Sequence, residues 1–183
     1  MQNLLLHSCC GPCSSACIER LLAETDFNIT IFYYNPNIYP QEEYNHRKAE
    51  QIRLIKELNN PKVDFLDCDY IPSEFEKIAK GLEHEKEGGA RCAGCFALRL
   101  NKTAQTAKEN GYSAFATTLT VSPHKNAKLI TEIGLGVAQK YGIEYLPYDF
   151  KKKDGFKRSI ALSKEYGLYR QNYCGCAYSM PNN

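Results

Sequence analysis

The sequence predicts an α/β fold in which one parallel sheet carries helices on both faces, as in HUP or Rossmann-like proteins. Short apolar runs alternate with longer amphipathic segments along the whole chain, and strands that alternate with helices favour a covered parallel sheet. Neither an internal repeat nor a low-complexity linker interrupts the 183 residues. That length suits one α/β domain over 1–183, with a basic, aromatic and cysteine-bearing segment from about residue 150.

The first half of the chain begins with a short strand and repeats the strand–helix pattern. Apolar residues recur at helical spacing in its helices, and the second strand is rich in Ile, Thr, Phe and Tyr. Ser73 is the expected N-cap of the third helix, with Glu76 at the capping-box position. In order, the segments are strand 3–7, helix 14–24, strand 28–34, helix 41–59, strand 63–66 and helix 73–82.

The second half continues this alternation. Gly111, Gly142 and Gly167 stand where helices are expected to end, because glycine adopts the left-handed C-cap conformation easily. The segments are helix 95–110, strand 114–120, helix 126–141, strand 143–148 and helix 159–166. Parallel sheets bind ligands beyond the carboxyl ends of their strands. We therefore expect the cysteines after the first strand to lie near His124, which follows the fourth strand.

Composition indicates a cytoplasmic protein with reduced thiols. The formal net charge of +2 neither requires nor excludes nucleic acid. We find no signal-peptide pattern before the first cysteines and no window approaching the roughly 18 apolar residues of a membrane span, so we expect no membrane partner. Clustered cysteines in a reducing compartment indicate metal ligands or redox groups rather than a disulfide framework. The nine cysteines are Cys9, Cys10, Cys13, Cys17, Cys68, Cys92, Cys95, Cys174 and Cys176.

Two cysteine pairs predict an iron–sulfur site. Cys9 and Cys10 occupy a strand-to-helix turn, and Cys92 and Cys95 lie at the start of a later helix, where the helix dipole stabilises thiolates. Adjacent cysteines fit a zinc knuckle poorly, but they reach different irons of one cubane. Two pairs supply the four thiolates of a [4Fe–4S] cluster. Zinc remains the alternative metal.

The remaining candidates each have two interpretations. Cys174-Gly175-Cys176 is either a redox-active pair or a further pair of metal ligands. Cys13 is either a ligand of a second metal or a thiol that pairs with another thiol. In the first case, Cys68 or Asp69 is the expected further ligand. Asp69 is otherwise a catalytic proton donor or an ordinary turn aspartate.

Two further side chains complete the candidates. Cys17 falls on an apolar helical face and is expected in the core. His124 is the histidine best placed to donate a proton or contact a substrate.

A set of specific motifs occurs in order along the whole chain. They are SCCGPC at 8–13, YYNPNI at 33–38, RCxxC at 91–95, TTL at 117–119 with SPHK at 122–125, KxGF at 153–156 and YRQxYCGC at 169–176. In these motifs the chain resembles the QueH family of cobalamin-independent epoxyqueuosine reductases.

The resemblance implies a reaction and its cofactors. Family members remove the epoxide oxygen from epoxyqueuosine at the wobble position of tRNA, the last step of queuosine synthesis. They carry a [4Fe–4S] cluster and a nearby mononuclear iron, and they use no cobalamin. Carried over, Cys9, Cys10, Cys92 and Cys95 hold the cluster, and the Cys174–Cys176 pair forms a redox-active disulfide. An external electron donor is also implied.

A basic and aromatic segment is the expected tRNA contact. Lysine and arginine side chains suit phosphates, while tyrosine and arginine stack on splayed bases. Without the family resemblance, the same segment would be interpreted as a solvated loop. The expected contacts are Lys151, Lys152, Lys153, Arg158 and Arg170.

Two other functions remain as alternatives. One is an ATP-dependent tRNA sulfurtransferase of related fold, although Ser8, Cys9 and Cys10 occupy the place of a glycine-rich phosphate loop. The other is a zinc-stabilised binding module without catalytic activity.

Overall fold

A computed structural model describes residues 2–181, so Met1 and residues 182–183 of the predicted domain lie outside the described part. All strands of its sheet are parallel, in the order β3-β2-β1-β4-β5. The loops after β1 and β4 therefore diverge at the centre of the carboxyl edge, where such sheets bind ligands. The strands are β1 (Asn3–His7), β2 (Asn28–Phe32), β3 (Val63–Leu66), β4 (Ala114–Thr117) and β5 (Glu144–Tyr145).

Helices cover both faces of the sheet, as predicted. Leu4 and Leu6 pack on one face against the buried residues of the first helix, and Leu5 packs on the other face against Leu100. This alternation follows from the two-residue period of a strand. The helices are α1 (Gly11–Glu24), α2 (Gln41–Leu58), α3 (Pro72–Ala79), α4 (Ala90–Glu109), α5 (Ala127–Tyr141) and α6 (Gly155–Glu165).

Three predicted strands are too long. The predicted strand 28–34 ends at Phe32, because its neighbours end there: Phe32 pairs with His7 on one side and Leu66 on the other. The predicted strand 114–120 ends at Thr117, and residues Thr118–Val121 form a 3₁₀ helix instead. The predicted edge strand 143–148 contains only Glu144 and Tyr145, which pair with β4.

Four predicted helices start too late, and one cap is wrong. Residue 72 is a proline, whose fixed φ suits the first helical turn, so α3 starts before Ser73 and Ser73 is not its N-cap. Pro12 similarly lies in the first turn of α1. Because α4 starts at Ala90, Cys92 lies inside the helix rather than before it. α6 starts at Gly155. Among the described residues, none of the helices combines the length and apolar character needed to cross a bilayer.

Candidate active site

The first group of thiols surrounds the turn between β1 and α1. Cys9 and Cys10 follow the strand directly, and Cys13 lies in the first turn of the helix. The three sulfur atoms lie within 4.8 Å of one another, and those of Cys9 and Cys10 are 3.9 Å apart. The turn lies beside the switch point between β1 and β4. Three thiols are thus held together at the ligand-binding edge of the sheet.

A glutamine from α2 fixes this turn. The Oε1 atom of the fully buried Gln51 accepts hydrogen bonds from the hydroxyls of Ser8, at 2.8 Å, and Ser14, at 2.7 Å. These serines lie on either side of the cysteines. One acceptor therefore holds both ends of the turn, from which Cys9 and Cys13 face the larger of the site's two cavities.

The second group of thiols lines a small inner cavity of about 90 Å³. Cys92 and Cys95 are three residues apart on α4 and so lie on the same side of the helix. Cys174 and Cys176 reach the cavity from the C-terminal segment, defined here as residues 169–180. The Gly88 N–H donates to the Cys92 sulfur at 3.2 Å. Two parts of the chain thus place four thiols around one small space.

A larger outer cavity of about 370 Å³ adjoins the inner one. Its wall includes Cys9 and Cys13 of the first group, together with serine, arginine and aromatic side chains of the loop after β4, α6 and the C-terminal segment. Four residues line both cavities and mark their junction: Glu87, His124, Lys125 and Cys174. A carboxylate, an imidazole, an ammonium and a thiol therefore surround the passage between the cavities.

Two cations compensate the charge that thiolates would bring. Arg99 is buried, with its guanidinium 2.9 Å from Asn35 Oδ1 and 3.8 Å from the Cys95 sulfur. Burial opposes the charge of Arg99, but the nearby thiols, Cys95 first, raise its pKa above the ordinary value. Burial likewise opposes the charge of Lys125, yet Cys174 and Cys9 raise its pKa. Both side chains stay protonated beside the sulfur atoms.

The thiols themselves differ in acidity. The pKa of Cys9 lies well below its ordinary value, because hydrogen bonds with Cys10 and Cys13 stabilise its thiolate. Burial raises the pKa of Cys95 to about 11, although Arg99 opposes this rise. Cys9 is therefore the sulfur best suited to be anionic before a metal binds, since metals bind the deprotonated form.

Comparison of the chain with known proteins shows its family. A family model described as epoxyqueuosine reductase QueH matches residues 4–182. The chain belongs to this family. Curated relatives named epoxyqueuosine reductase QueH include those of Streptococcus pyogenes serotype M1 (45% identity, covering 97% of this chain and 70% of that protein) and Thermotoga maritima (36% identity, 98% and 91%).

A solved structure supports the fold independently. It is described as a predicted subunit of tRNA methyltransferase from Methanocaldococcus jannaschii, and it matches with a TM-score of 0.58 and 18% sequence identity. The match covers 90% of this chain and 75% of that one. At this level of identity the likeness concerns the fold alone.

The predicted QueH site residues do not all lie at the cavities. His124 and Cys174 line both of them. Cys9 and Cys13 line only the outer cavity, Cys92, Cys95 and Cys176 line only the inner one, and Cys10 lines neither. Asp69 is exposed and lies outside both linings, and the Cys68 thiol donates to the Tyr33 carbonyl at 3.2 Å. A second metal site shared by Cys13 with either residue therefore has no support from their placement. Cys17 is fully buried in the core, as predicted.

The Cys174 and Cys176 side chains are free thiols here, like the other seven cysteines. The disulfide implied for the family therefore stays a prediction about the oxidised protein. Cys174 lines both cavities, whereas Cys176 lines only the inner one. The two sulfur atoms thus have different surroundings in the dithiol form.

Most of the basic side chains expected to bind tRNA already have partners. Lys153 pairs with Glu24 at 2.8 Å, and Arg158 makes a two-pronged ion pair with Glu19. Lys151 donates to the Lys125 carbonyl. Arg170 lines the outer cavity, lies over the Phe156 ring and donates to the Ser163 hydroxyl. Lys152 is exposed, and its ammonium has no hydrogen-bond or ion-pair partner among residues 2–181.

Sequence reasoning missed several polar residues of the site. Arg47, Gln51 and Arg99 face inward from α2 and α4. The signal that could have found them is a polar residue on an apolar helical stripe. Gln171 donates to the Cys10 sulfur at 3.1 Å. Its position within YRQxYCGC was visible, but its partner, 161 residues away, was not.

Proposed function

We propose that this QueH family member reduces epoxyqueuosine in tRNA to queuosine with the help of a [4Fe–4S] cluster, in the cytoplasm. The observation that carries the proposal is the convergence of thiols. Every cysteine except Cys17 and Cys68 lies in the thiol groups that adjoin the two cavities. A wall so rich in sulfur, next to a cavity large enough for part of a nucleoside, suits reduction of a bound nucleoside.

The reaction defines what the site must supply. Removing the epoxide oxygen breaks two C–O bonds, forms one C=C bond and releases the oxygen as water. The balance requires two electrons and two protons. The site therefore needs a source of electrons, a proton donor near the oxygen and a means of holding the nucleoside.

The donor set fits an iron–sulfur cluster. Cys9, Cys10, Cys92 and Cys95 would hold it, because four thiolates are the usual ligand set and the buried Arg99 offsets part of their negative charge. When bound, such a cluster supplies single electrons. Cys13 lies within the first thiol group, so we propose that it would help to hold a second iron, which would supply Lewis-acid chemistry.

The residues at the cavity junction supply the protons and the second redox group. His124 lines both cavities, so it is our proposed proton donor to an oxygen held at the junction. Lys125 also lines both cavities and, as a retained cation, would stabilise negative charge that develops on that oxygen. Oxidation of the Cys174–Cys176 dithiol to a disulfide releases two electrons and two protons, the amounts that deoxygenation consumes. An external electron donor must then restore the dithiol before the next turnover.

The outer cavity is the proposed site of the wobble nucleoside. Arg170 over Phe156 provides a paired cation and aromatic surface in its wall, and Tyr173 lines the same wall. Such surfaces stack on unpaired bases with little dependence on sequence. Because Lys152 is exposed, we propose that it contacts the phosphate backbone outside the cavity.

The direct test is turnover. The protein is purified without oxygen and incubated with epoxyqueuosine-containing tRNA and a reductant, and the nucleosides are analysed by mass. Loss of oxygen from the epoxide to give queuosine is the expected result. Persistence of the epoxide with several reductants, with the cluster loaded, would contradict the proposal.

Colour separates the proposal from its alternatives. The protein purified without oxygen should be brown, with a broad absorbance that bleaches on reduction. A colourless zinc protein would favour the binding module. ATP-dependent transfer of sulfur to tRNA would favour the sulfurtransferase, whereas the QueH reaction should proceed without ATP.

Substitution of Cys13 tests the second iron. Cys13→Ser should leave the cluster absorbance intact and abolish turnover, because the cluster ligands remain while a ligand of the second metal is lost. Cys68→Ser is the matched control, since Cys68 lines neither cavity, and it should keep its activity. Normal turnover by Cys13→Ser would disprove a role for Cys13.

Lys152 tests the tRNA surface. Lys152→Ala should weaken tRNA binding and reduce its salt slope by about one ion. Lys153→Ala should change the slope less, because Lys153 is already paired with Glu24. Equal salt slopes in both variants would contradict the prediction that pairing with Glu24 keeps Lys153 from contributing to tRNA binding. Binding is measured across a series of salt concentrations.

A further inference from the structure

We propose that Arg47 is the positioning residue of the Cys174-Gly175-Cys176 segment and favours its dithiol form. Arg47 lies on α2, far from these cysteines in sequence, and its side chain is fully buried. The proposal depends on the proposed function only for the role of the thiol pair in turnover.

The guanidinium binds the backbone immediately before and at Cys174. Its two terminal nitrogens donate to the Cys174 carbonyl, at 3.0 Å, and the Tyr173 carbonyl, at 3.4 Å. Its Nε donates to Glu43 at 2.6 Å, one helical turn earlier. The planar fork of an arginine suits two neighbouring carbonyls, whereas a lysine ammonium does not. The chain at Cys174 is therefore held from inside the protein.

Neighbouring contacts hold the rest of the segment to the same support. The Tyr39 N–H donates to the Gly175 carbonyl at 2.8 Å, and the Tyr173 hydroxyl donates to the Tyr39 carbonyl at 2.6 Å. Gly175 has φ +140°, and a Cβ there would lie 3.2 Å from the Arg47 guanidinium. Because Gly175 has no side chain, the Arg47 guanidinium can lie close to the backbone between the two cysteines.

This conformation belongs to the reduced pair. Both cysteines are free thiols, and Cys174 lines both cavities. Closing a disulfide between residues two apart brings their sulfur atoms to about 2 Å and rotates the peptides between them. Those peptides carry the carbonyls that Arg47 and Tyr39 bind. Since hydrogen bonds made in one redox state favour that state, the Arg47 contacts oppose oxidation of the pair.

The test measures the dithiol–disulfide equilibrium of this pair in the holoprotein. Glutathione disulfide oxidises the pair, and two glutathione thiols and one protein disulfide result. Free thiols are trapped by alkylation after equilibration in buffers of fixed glutathione ratio. Trypsin then releases residues 171–183 as one peptide, since no lysine or arginine follows Arg170. Its mass reports Cys174 and Cys176 and no other cysteine.

We expect Arg47→Met to raise the disulfide-to-dithiol ratio at least threefold. A tenfold rise would correspond to a potential more negative by about 30 mV. Arg47→Lys should give an intermediate rise, because it keeps the charge facing Glu43 and loses the fork. This milder variant also keeps the test usable if the methionine variant does not fold.

Arg53→Met is the matched control. Arg53 lies on the same helix and binds the carbonyls of Tyr166 and Gly167 in a similar way, but it does not contact the cysteine segment. It should leave the ratio unchanged. The inference is overturned if the disulfide-to-dithiol ratio of Arg47→Met lies within threefold of wild type or shifts toward the dithiol. It is also overturned if the wild-type pair never oxidises. None of these results depends on the turnover assay, which tests the proposed function separately.

Discussion

Arg99 offers the sharpest prediction for the metal site. We consider Arg99→Met, which removes a buried guanidinium whose nitrogen lies 3.8 Å from the Cys95 sulfur. At an effective dielectric constant of about 20, a cation and a thiolate at that distance attract by about 4 kcal/mol. Iron bound to the thiolate would neutralise part of its charge and so reduce this attraction. We expect a net loss of about 1–3 kcal/mol, or about ten- to a hundredfold in metal affinity.

The assay follows iron release from anaerobically purified protein challenged with a chelator. Arg91→Met is the matched control, because Arg91 is also buried on α4 but donates to the carbonyls of Leu82 and Glu83 rather than to a thiol. Arg99→Met should release iron at a lower chelator concentration than Arg91→Met, which should lie closer to wild type because Arg91 is only a minor influence on the Cys92 thiol. Equal iron retention in the two variants would refute the electrostatic argument.

A comparison without metal separates charge from packing. Without metal, burial keeps the Cys95 thiol largely neutral, so Arg99→Met should change the stability of the metal-free protein by much less than that of the loaded protein. The free energy of unfolding in urea measures both. A loss of equal size in both forms would indicate that Arg99 acts through its hydrogen bond to Asn35 rather than through attraction to the thiolates.

Three further predictions concern the scaffold. Gly134→Ala should destabilise the protein by about 1–3 kcal/mol, because the added Cβ would lie 2.4 Å from the buried Tyr145 ring; a higher melting temperature would contradict this. Gly136→Ala, with open space around it on the same helix, should instead stabilise by about 0.5–1 kcal/mol, measured by the same thermal melt. Gln51→Leu should cost about 1–3 kcal/mol, since two serine hydroxyls lose their shared acceptor. The cost stays near the lower end if both hydroxyls turn to the nearby backbone carbonyls, and urea unfolding measures it.

Local patterns were sufficient to predict the architecture and the thiol-bearing turns. Strands β1 and β3 agree with their predicted ranges, and Gly142, with φ +60°, ends α5 as expected. These features depend on periodicity and on conformational preferences of single residues. Strand ends were less predictable, because a strand such as 28–34 stops where its neighbours stop, which only the pairing reveals.

The partners of the cysteines required the folded chain. The spacing of Cys92 and Cys95 marked them as a pair, but it gave no sign that Cys174 and Cys176 line the same cavity. For the basic segment at 151–158, the sequence suggested more than the folded chain bears out. Its charge suggested free cations, yet Lys153 and Arg158 are paired with glutamates of α1. A charge count does not reveal which charges are already neutralised.

Arg47 and Gln51 stand one helical turn apart on α2, and they hold opposite ends of the chain. Gln51 binds the turn that carries the earliest cysteines, and Arg47 binds the segment that carries the last. A ribosome delivers these partners in that order. The N-terminal thiols and their support are therefore complete while the cavity still lacks a wall. The C-terminal segment, synthesised after both, supplies the remaining wall of that cavity.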